Sequence, residues 1–512
     1  MAGKINFIEG KGGLQRQLPG QDYISGLVLY TNTFPSGFTS TDRIKQIFSL
    51  KQAEDLGIVN NHSDEISATG VVTITVAGAI GDTIKIRITE PKKVLTIASY
   101  TVGLGETPTT VANAIKNLIN LYTYLYGYTA TNVAGAITIT ARKGLGIYPN
   151  STSRISTVLT GTIANTITDF TGGVAGKIAV YHYHISEYFR VQPQGNIYIG
   201  INSVPATYTF VEVDTMQTFA NGSIRQFGVF KDSSVFSTGD IQALQAVAVT
   251  LKNKKQWASI LYAGDISSIA SASLVSLAGL NSDNVSTVIS QDGHQINTDG
   301  STSSGVGYEL FKSTGKSVTT LGATLGAVSF SQVSECIGNP ARFNMTDGTE
   351  LAIPALANGD VVKTLSPSLL TQLDIYRYIY MEKGSAGDAG TYHQDSHTCT
   401  LQSSDYAYIE NVRTIYKAQR LLDIALFPYR QSKIVLNSDG TISDTSVVAL
   451  ESVSNSSLNA MLTDGDLSNR KAVVDPAQNV QSTGKVVVAM DLLAQPIARL
   501  IEVRIGYVLS IN

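Results

Sequence analysis

The chain has 512 residues, of which 43% are hydrophobic and only 15% charged, with a formal net charge of −3. The charged share is well below the globular average of about 25%, so there is no basic footprint for nucleic acid, and no run of about 18 apolar residues offers a membrane span. Cys336 and Cys399 make no disulfide framework for a chain this long, and the surface is left to Ser, Thr, Asn, Gly and 24 tyrosines, a composition suited to protein–protein packing.

In chain order, residues 1–22 are glycine-rich and basic around Pro19, with weak periodicity, and are predicted to form an extended arm. MAGKINFIEGKGG has no apolar h-region, so synthesis in a cytoplasm without a cleaved signal is expected. ISGLVLY at 24–30 is the first predicted strand. TDRIKQIFSLKQAEDL at 41–56 is predicted helical: Ile44, Ile47, Phe48 and Leu56 share a face, Asp42 stands in the first turn and Gly57 follows as a stop. From 66 to 177 the composition shifts toward Thr, Ile and Gly. VVTITVAG and DTIKIRIT alternate strictly and are joined by AIGD. A helix follows at 109–126 with Val111, Ile115, Leu118 and Leu125, and then the strand ITITARKG. This reads as a small α+β unit with its own core, inserted into a larger domain.

That larger domain comprises 23–65 and 178–365. NIYIGI, QWASILYA, VSTVIS and ELAIPA read as strands, 238–252 as a helix with a Thr/Asp start, and 317–336 as a helix broken by Gly322 and Gly326. The alternation predicts α/β organisation with some parallel pairing. A further domain is expected at 366–483. It opens on SPSLLTQLDIYRYIYMEKG, a predicted helix entered through Pro367. Residues 391–402 read as a strand pair or loop, and 405–427 as a long helix stopped by Pro428. On that helix Arg413, Lys417 and Arg420 fall at i, i+4 and i+7, a band roughly 60° wide. The band is either a solvated face paired with Glu410 and Asp423 or a cationic ridge for an acidic partner surface. A polar stretch at 437–481 includes a short helix.

Residues 484–512 are the most informative segment. GKVVVAMDLL places Val486, Val488 and Met490 on one face. ARLIEVRIGYVLS alternates Ile501, Val503, Ile505, Tyr507 and Leu509 with Glu502, Arg504 and Gly506, the period of a half-buried strand. Apolar edges are normally blunted. One that is kept is expected to complete a sheet in a neighbouring subunit.

Chemistry is otherwise sparse. His393, His397 and Cys399 form H-x3-H-x-C in YHQDSHTC. On a helix the two histidines would share a face as zinc ligands, but Ser, Thr and Asp disfavour a helix here and no fourth ligand is evident, so no metal site is expected. His182 and His184 in VYHYHIS lie on one side of a predicted strand and read as packed or surface residues. GKGG at 10–13 lacks the P-loop spacing, GLGET at 103–107 is a loop before a helix, and neither G-x-S-x-G nor H-E-x-x-H occurs. No catalytic residue and no cofactor is expected.

GGLQRQLPGQDYISGLVLY at 12–30 resembles the opening of contractile tail sheath subunits, the family of phage tail sheaths and related contractile injection machines. GTYHQDSHTCTLQSSDYAYIENVRTIYKAQRLL is similar to that family's C-terminal domain, with Gly390, Tyr392, Thr398, Asp405, Tyr406 and Arg413 at the motif positions. ARLIEVRIGYVLS is similar to its terminal strand, and the inserted unit to the small domains that sheaths carry outward. The resemblance implies a multidomain α/β and α+β fold: a sheath-type core, an inserted α+β domain at 66–177, and extended N- and C-terminal β arms at 1–22 and 484–512. It implies self-assembly into a six-start helical homopolymer around an inner tube protein, with baseplate and terminator or cap proteins as further partners. The setting would be a virion tail or contractile injection particle made in a bacterial cytoplasm, with no nucleic acid, no direct membrane insertion and no nucleotide. On this reading Arg413, Lys417 and Arg420 face the tube. Leu14, Leu18, Ile501, Val503, Ile505, Tyr507 and Leu509 lie in arms that exchange strands between subunits. The rival readings are a surface-exposed β-rich adhesin or shell protein, and an enzyme whose site forms only in space.

Overall fold

The structure, a computed structural model, describes residues 21–385 and 388–507. It is mixed α/β and divides into two compact units, one holding 21–330 and 337–409, the other holding 331–336 and the residues from 410 onward. The larger unit is organised by a seven-stranded sheet. Its strands are β1 (Ile24–Tyr30), β2 (Ile44–Ile47), β3 (Asn196–Asn202), β4 (Gln226–Val235), β5 (Ser259–Asp265), β6 (Val285–Val288) and β7 (Tyr378–Ile379), in the spatial order β7-β6-β5-β4-β1-β3-β2. Every pairing is parallel except that of β3 with β2.

A parallel sheet needs cover on both faces, and β1 shows how the sequence supplies it. All of its residues are buried. Leu27 and Leu29 join a core with the helices Ile178–Val191 and Leu321–Phe330. Val28 and Tyr30 join another with the helices Val211–Phe219 and Thr238–Asn253. The start of the last helix is fixed by Ser237, whose side chain accepts from the helix while Asp240 reaches back, a reciprocal cap that satisfies otherwise orphaned N–H groups.

Four sequence expectations are corrected in this unit. The helix expected over 41–56 is an edge strand, β2, followed by the short helix Leu50–Asp55 capped by Ser49. Ile44 and Ile47 pair against β3, so tertiary pairing overrides the helical spacing. VYHYHIS belongs to the helix Ile178–Val191, not a strand; it is buried on nearly every side, which erases the hydropathy period. Its His184 ring sits 4.5 Å from Phe230, and burial pushes its pKa down to about 3, so it is a neutral core residue. His182 Nε2 lies 3.2 Å from Glu54 Oε1. The helix Leu321–Phe330 runs unbroken through Gly322 and Gly326. These glycines are contact points, since a Cβ on Gly322 would lie 2.0 Å from the His184 carbonyl oxygen and one on Gly326 2.8 Å from that of Tyr188. The helix entered at Pro367 stops at Ile375. Arg377, with φ of 72°, turns the chain into β7, and that is why 366–409 belongs to the larger unit and not to a domain opening at Ser366.

Within the larger unit, residues 68–170 close around a separate hydrophobic core. VVTITVAG and DTIKIRIT do not pair with each other. The strand Thr69–Val76 lies in a four-stranded sheet, and Thr83–Thr89 in a three-stranded one. The helix Pro108–Leu121 covers them with Val111, Ala112, Ile115 and Ile119. At the neck of this insertion Ile66 and Val174 exchange both backbone hydrogen bonds, 3.0 and 2.9 Å. It also touches its host through the Lys92–Glu309 ion pair and a 2.8 Å bond from Ile147 N–H to the Ser313 carbonyl.

The smaller unit contains the helices Ile409–Leu426, Asp444–Ser457 and Asn459–Thr463 and a two-stranded antiparallel sheet. Ala418, Leu458, Met461 and Leu467 form one apolar cluster, and Ile442, Leu450 and Val474 another. No helix among the described residues is long and apolar enough to cross a membrane.

Candidate assembly interface

In the smaller unit the strand Leu467–Val473 pairs with Ala489–Ala494, Leu467 opposite Ala494 and Val473 opposite Ala489. Val486, Val488, Met490 and Leu492 pack against its two clusters, the alternation read from GKVVVAMDLL. This segment therefore has its partner within the chain. That partner, LSNRKAV, is hidden in the sequence by Ser468, Asn469, Arg470 and Lys471, which interrupt any apolar period.

Beyond Ala494 the pairing stops. Residues 495–507 form no regular structure. Ile501, Val503, Ile505 and Tyr507 are 77%, 73%, 93% and 108% exposed, and Glu502, Arg504 and Gly506 are exposed as well. The half-buried strand expected over 498–510 is thus not formed by the described residues. A strand without a neighbour cannot satisfy its backbone or cover its apolar face, and no described strand lies beside it. Arg499 pairs with the buried Glu410 carboxylate at the root of this segment. Leu14, Leu18 and Leu509 lie outside the described residues.

The cationic ridge is corrected more sharply. Arg413 is 4% exposed and donates to Ser331 Oγ at 2.7 Å and to the Ser331 and Gln332 carbonyls at 3.2 and 3.1 Å. Lys417 is 8% exposed, with Nζ 2.6 Å from Asp466 Oδ2 and 3.5 Å from Asp464 Oδ2. Arg420 is half-buried. The three share a face as spaced, but Arg413 and Lys417 on that face are buried and make their hydrogen bonds and ion pairs inside the unit. A stripe of cations at helical spacing does not reveal whether it meets water or counter-charges from distant positions.

The H-x3-H-x-C residues do not converge. His393 lies in the strand Thr391–His393 with Nε2 2.9 Å from Thr324 Oγ1, and burial pushes its pKa down to about 4. Cys399 is buried 3.3 Å from Thr287 Oγ1, and burial raises its thiol to about 12. His397 meets two acids on other parts of the chain. Its Nε2 lies 2.7 Å from Asp374 Oδ1, a contact that holds the Asp374 carboxyl below the usual range, and its Nδ1 lies 3.9 Å from Asp395 Oδ2. Asp374 is on a different element, so no local spacing could have disclosed it.

Residues 405–512 match the family described as DUF2586, C-terminal domain. Among solved structures, the helical sheath of the anti-feeding prophage in its contracted state is similar at 14% identity, covering 63% of this chain and 81% of that one, with a TM-score of 0.43. The baseplate of the same particle gives 14% identity, 65% and 81% coverage and a TM-score of 0.40. The contracted sheath complex of PVC, an extracellular contractile injection system, gives 10% identity, 64% and 80% coverage and a TM-score of 0.40. No curated protein matches the chain.

Proposed function

We propose that this chain is a structural subunit of a contractile sheath, which polymerises helically around an inner tube and contracts to drive that tube through a target envelope. The observation that carries the reading is the segment 498–507. It lies shortly beyond a strand anchored in its own unit and leaves exposed Ile501, Val503, Ile505 and Tyr507, apolar residues that alternate in the sequence with Glu502, Arg504 and Gly506. A segment of this kind is suited to completing a sheet edge in a neighbour, where main-chain hydrogen bonds supply affinity and alternate side chains supply specificity. The low charged fraction favours dense packing between identical subunits. The sequence resemblance at 12–30 and from Gly390 onward points the same way. In such a lattice, folded units move as bodies while linking segments hold them together. The partners are further copies, a tube protein, and baseplate and cap proteins.

The test is removal of residues 498–512, read by negative-stain electron microscopy with and without a co-expressed tube protein. The full chain is expected to give long hollow striated tubes. The truncated chain is expected to keep its circular-dichroism spectrum and melting temperature but to form no tubes. Normal tubes from the truncated chain would sink the role of the segment; compact, monodisperse full-length particles under every assembly condition would sink the sheath reading itself.

A further inference from the structure

The turn that opens the helix Val306–Thr314 is held by two acids. Asp292, at the end of the strand Ser290–Asp292, accepts through Oδ2 from the Gly305 and Tyr308 N–H groups at 2.8 and 3.3 Å, and through Oδ1 from Leu351 N–H at 2.9 Å. Glu350 accepts through Oε2 from Val306 N–H at 2.5 Å, and through Oε1 from Gly307 N–H at 3.3 Å and the Tyr183 hydroxyl at 2.7 Å. The successive N–H groups of residues 305–308, which a helix cannot bond for itself, are thus shared between two carboxyl groups. The glycines make room for them. A Cβ on Gly305 would lie 2.2 Å from Glu350 Oε2, and one on Gly307 2.7 Å from the Tyr183 hydroxyl and 3.0 Å from Asp292 Cβ.

Asp292 is 1% exposed, and among the described residues neither acid meets a cation. The positive end of one helix favours an anion, but a second negative charge on the same buried turn is opposed by the first. Burial, and then the charge of Glu350, pushes the Asp292 carboxyl up to about 8, and burial raises Glu350 as well. The groups around the pair do not offset this. Tyr183 is raised by its own burial and keeps its proton. Glu187, on the helix Ile178–Val191, adds negative charge, and Arg190 is spent on it at 2.6 Å. Glu309 pairs with Lys92, and the Asp347 side chain is exposed. His294 stacks on Tyr308 at 4.6 Å, where burial and then Lys312 and Lys363 lower its pKa.

We propose that Asp292 and Glu350 form a proton-dependent latch that fixes the helix Val306–Thr314 and, through it, the seat of the inserted unit. That helix carries the seat. Glu309 pairs with Lys92, the Ser313 carbonyl accepts from Ile147 N–H at 2.8 Å, and Lys312 Nζ lies 5.9 Å from the Tyr148 ring. With one proton between the two acids the turn is closed. When it opens into water, both carboxyls return to the ordinary range near about 4 and release that proton. The closed form therefore holds a proton that the open form lacks, from about pH 4 up to about pH 8. Its stabilising share is complete below this window and is lost as pH rises through it, so the latch is tight in acid and weakens through neutrality. This holds whether or not the chain assembles into a sheath.

The experiment is hydrogen exchange of the full chain, read by mass spectrometry at a series of pH values from about 5 to about 9, with rates corrected for intrinsic exchange. Protection at Gly305–Tyr308, Leu351 and Ile147 is expected to fall by up to about tenfold per pH unit and to level off above about pH 8. The strand Leu467–Val473 in the other unit is expected to show no such slope. Glu350→Gln removes the charge that opposes ionisation of Asp292, and should bring the levelling point down by about one pH unit or more. Tyr183→Phe removes a donor to ionised Glu350, and should move that point up. His294 is present in both variants and cannot produce opposite displacements. Circular dichroism confirms that each is folded, and either one alone tests the pair. Protection that is flat in the native chain would overturn the latch, as would a folded variant with an unchanged profile or an equal slope at Leu467–Val473. A fall at Gly305–Tyr308 without one at Ile147 would overturn its hold on the inserted unit.

Discussion

At the residue scale the instructive pair is Lys417 and Asp466. Each is buried, and the 2.6 Å contact between them is what makes either tolerable there. Removing one partner of a buried pair leaves the other as an uncompensated charge, at a cost of about 3–5 kcal/mol, whereas replacing both by apolar groups is often near neutral. Lys417→Met is therefore expected to lower unfolding stability by about 3–5 kcal/mol in urea titrations, and Lys417→Met/Asp466→Leu to recover most of it. Equal losses in single and double variants would mean that the pair is not the stabilising feature. The sequence gives the spacing of Arg413, Lys417 and Arg420 correctly and misjudges their surroundings. Period identifies a shared face. It carries no information about Ser331, Gln332 or Asp466, which supply the acceptors from elsewhere in the chain. The same holds for His397, whose spacing to His393 says nothing of Asp374 and Asp395, the acids that the fold brings beside it.

At the element scale, legibility follows burial. ISGLVLY and NIYIGI are compact apolar runs bounded by polar residues, and they become β1 and β3 with nearly the expected limits. The helix Ile178–Val191 is missed because packing on both flanks leaves no polar face to set a period. The helix Leu321–Phe330 is instead recognised but misread, since glycine in a helix normally signals weakness. Here two effects oppose each other. Replacing Gly322 with alanine gains about 1 kcal/mol of helix propensity, but its Cβ would stand 2.0 Å from the His184 carbonyl oxygen, a backbone atom that cannot swing aside. Overpacking of this sort costs about 1–3 kcal/mol and sometimes more, so packing wins. Gly322→Ala is expected to lower the melting temperature, with the loss visible by calorimetry. A neutral or stabilising outcome would show that the two helices can separate at little cost.

At the scale of the whole molecule, a shift in composition sets in at 66, and residues 68–170 close around a hydrophobic core of their own. What the sequence conceals is the division at 409–410, which depends on β7 joining a sheet begun far earlier in the chain. The insertion is expected to be dispensable for its host. Joining Ile66 to Val174 through a short glycine-containing turn shortens a long loop, and loop-closure entropy changes only by about 0.6 kcal/mol for each doubling of length, in favour of the shorter form. The excised protein should melt cooperatively and retain the host's share of helix and strand signal. Aggregation or loss of a cooperative transition would show that the ion pair and backbone bond to 304–314 are required for the host fold.

The neck between Ile66 and Val174 has one more consequence. Two reciprocal backbone hydrogen bonds set the chain's points of departure and return about 5.5 Å apart. That separation, and not any side chain of the decoration, is the condition a passenger must meet. Any folded unit whose own ends lie side by side would satisfy it equally, so the neck is expected to accept a foreign domain without disturbing the sheet beneath it.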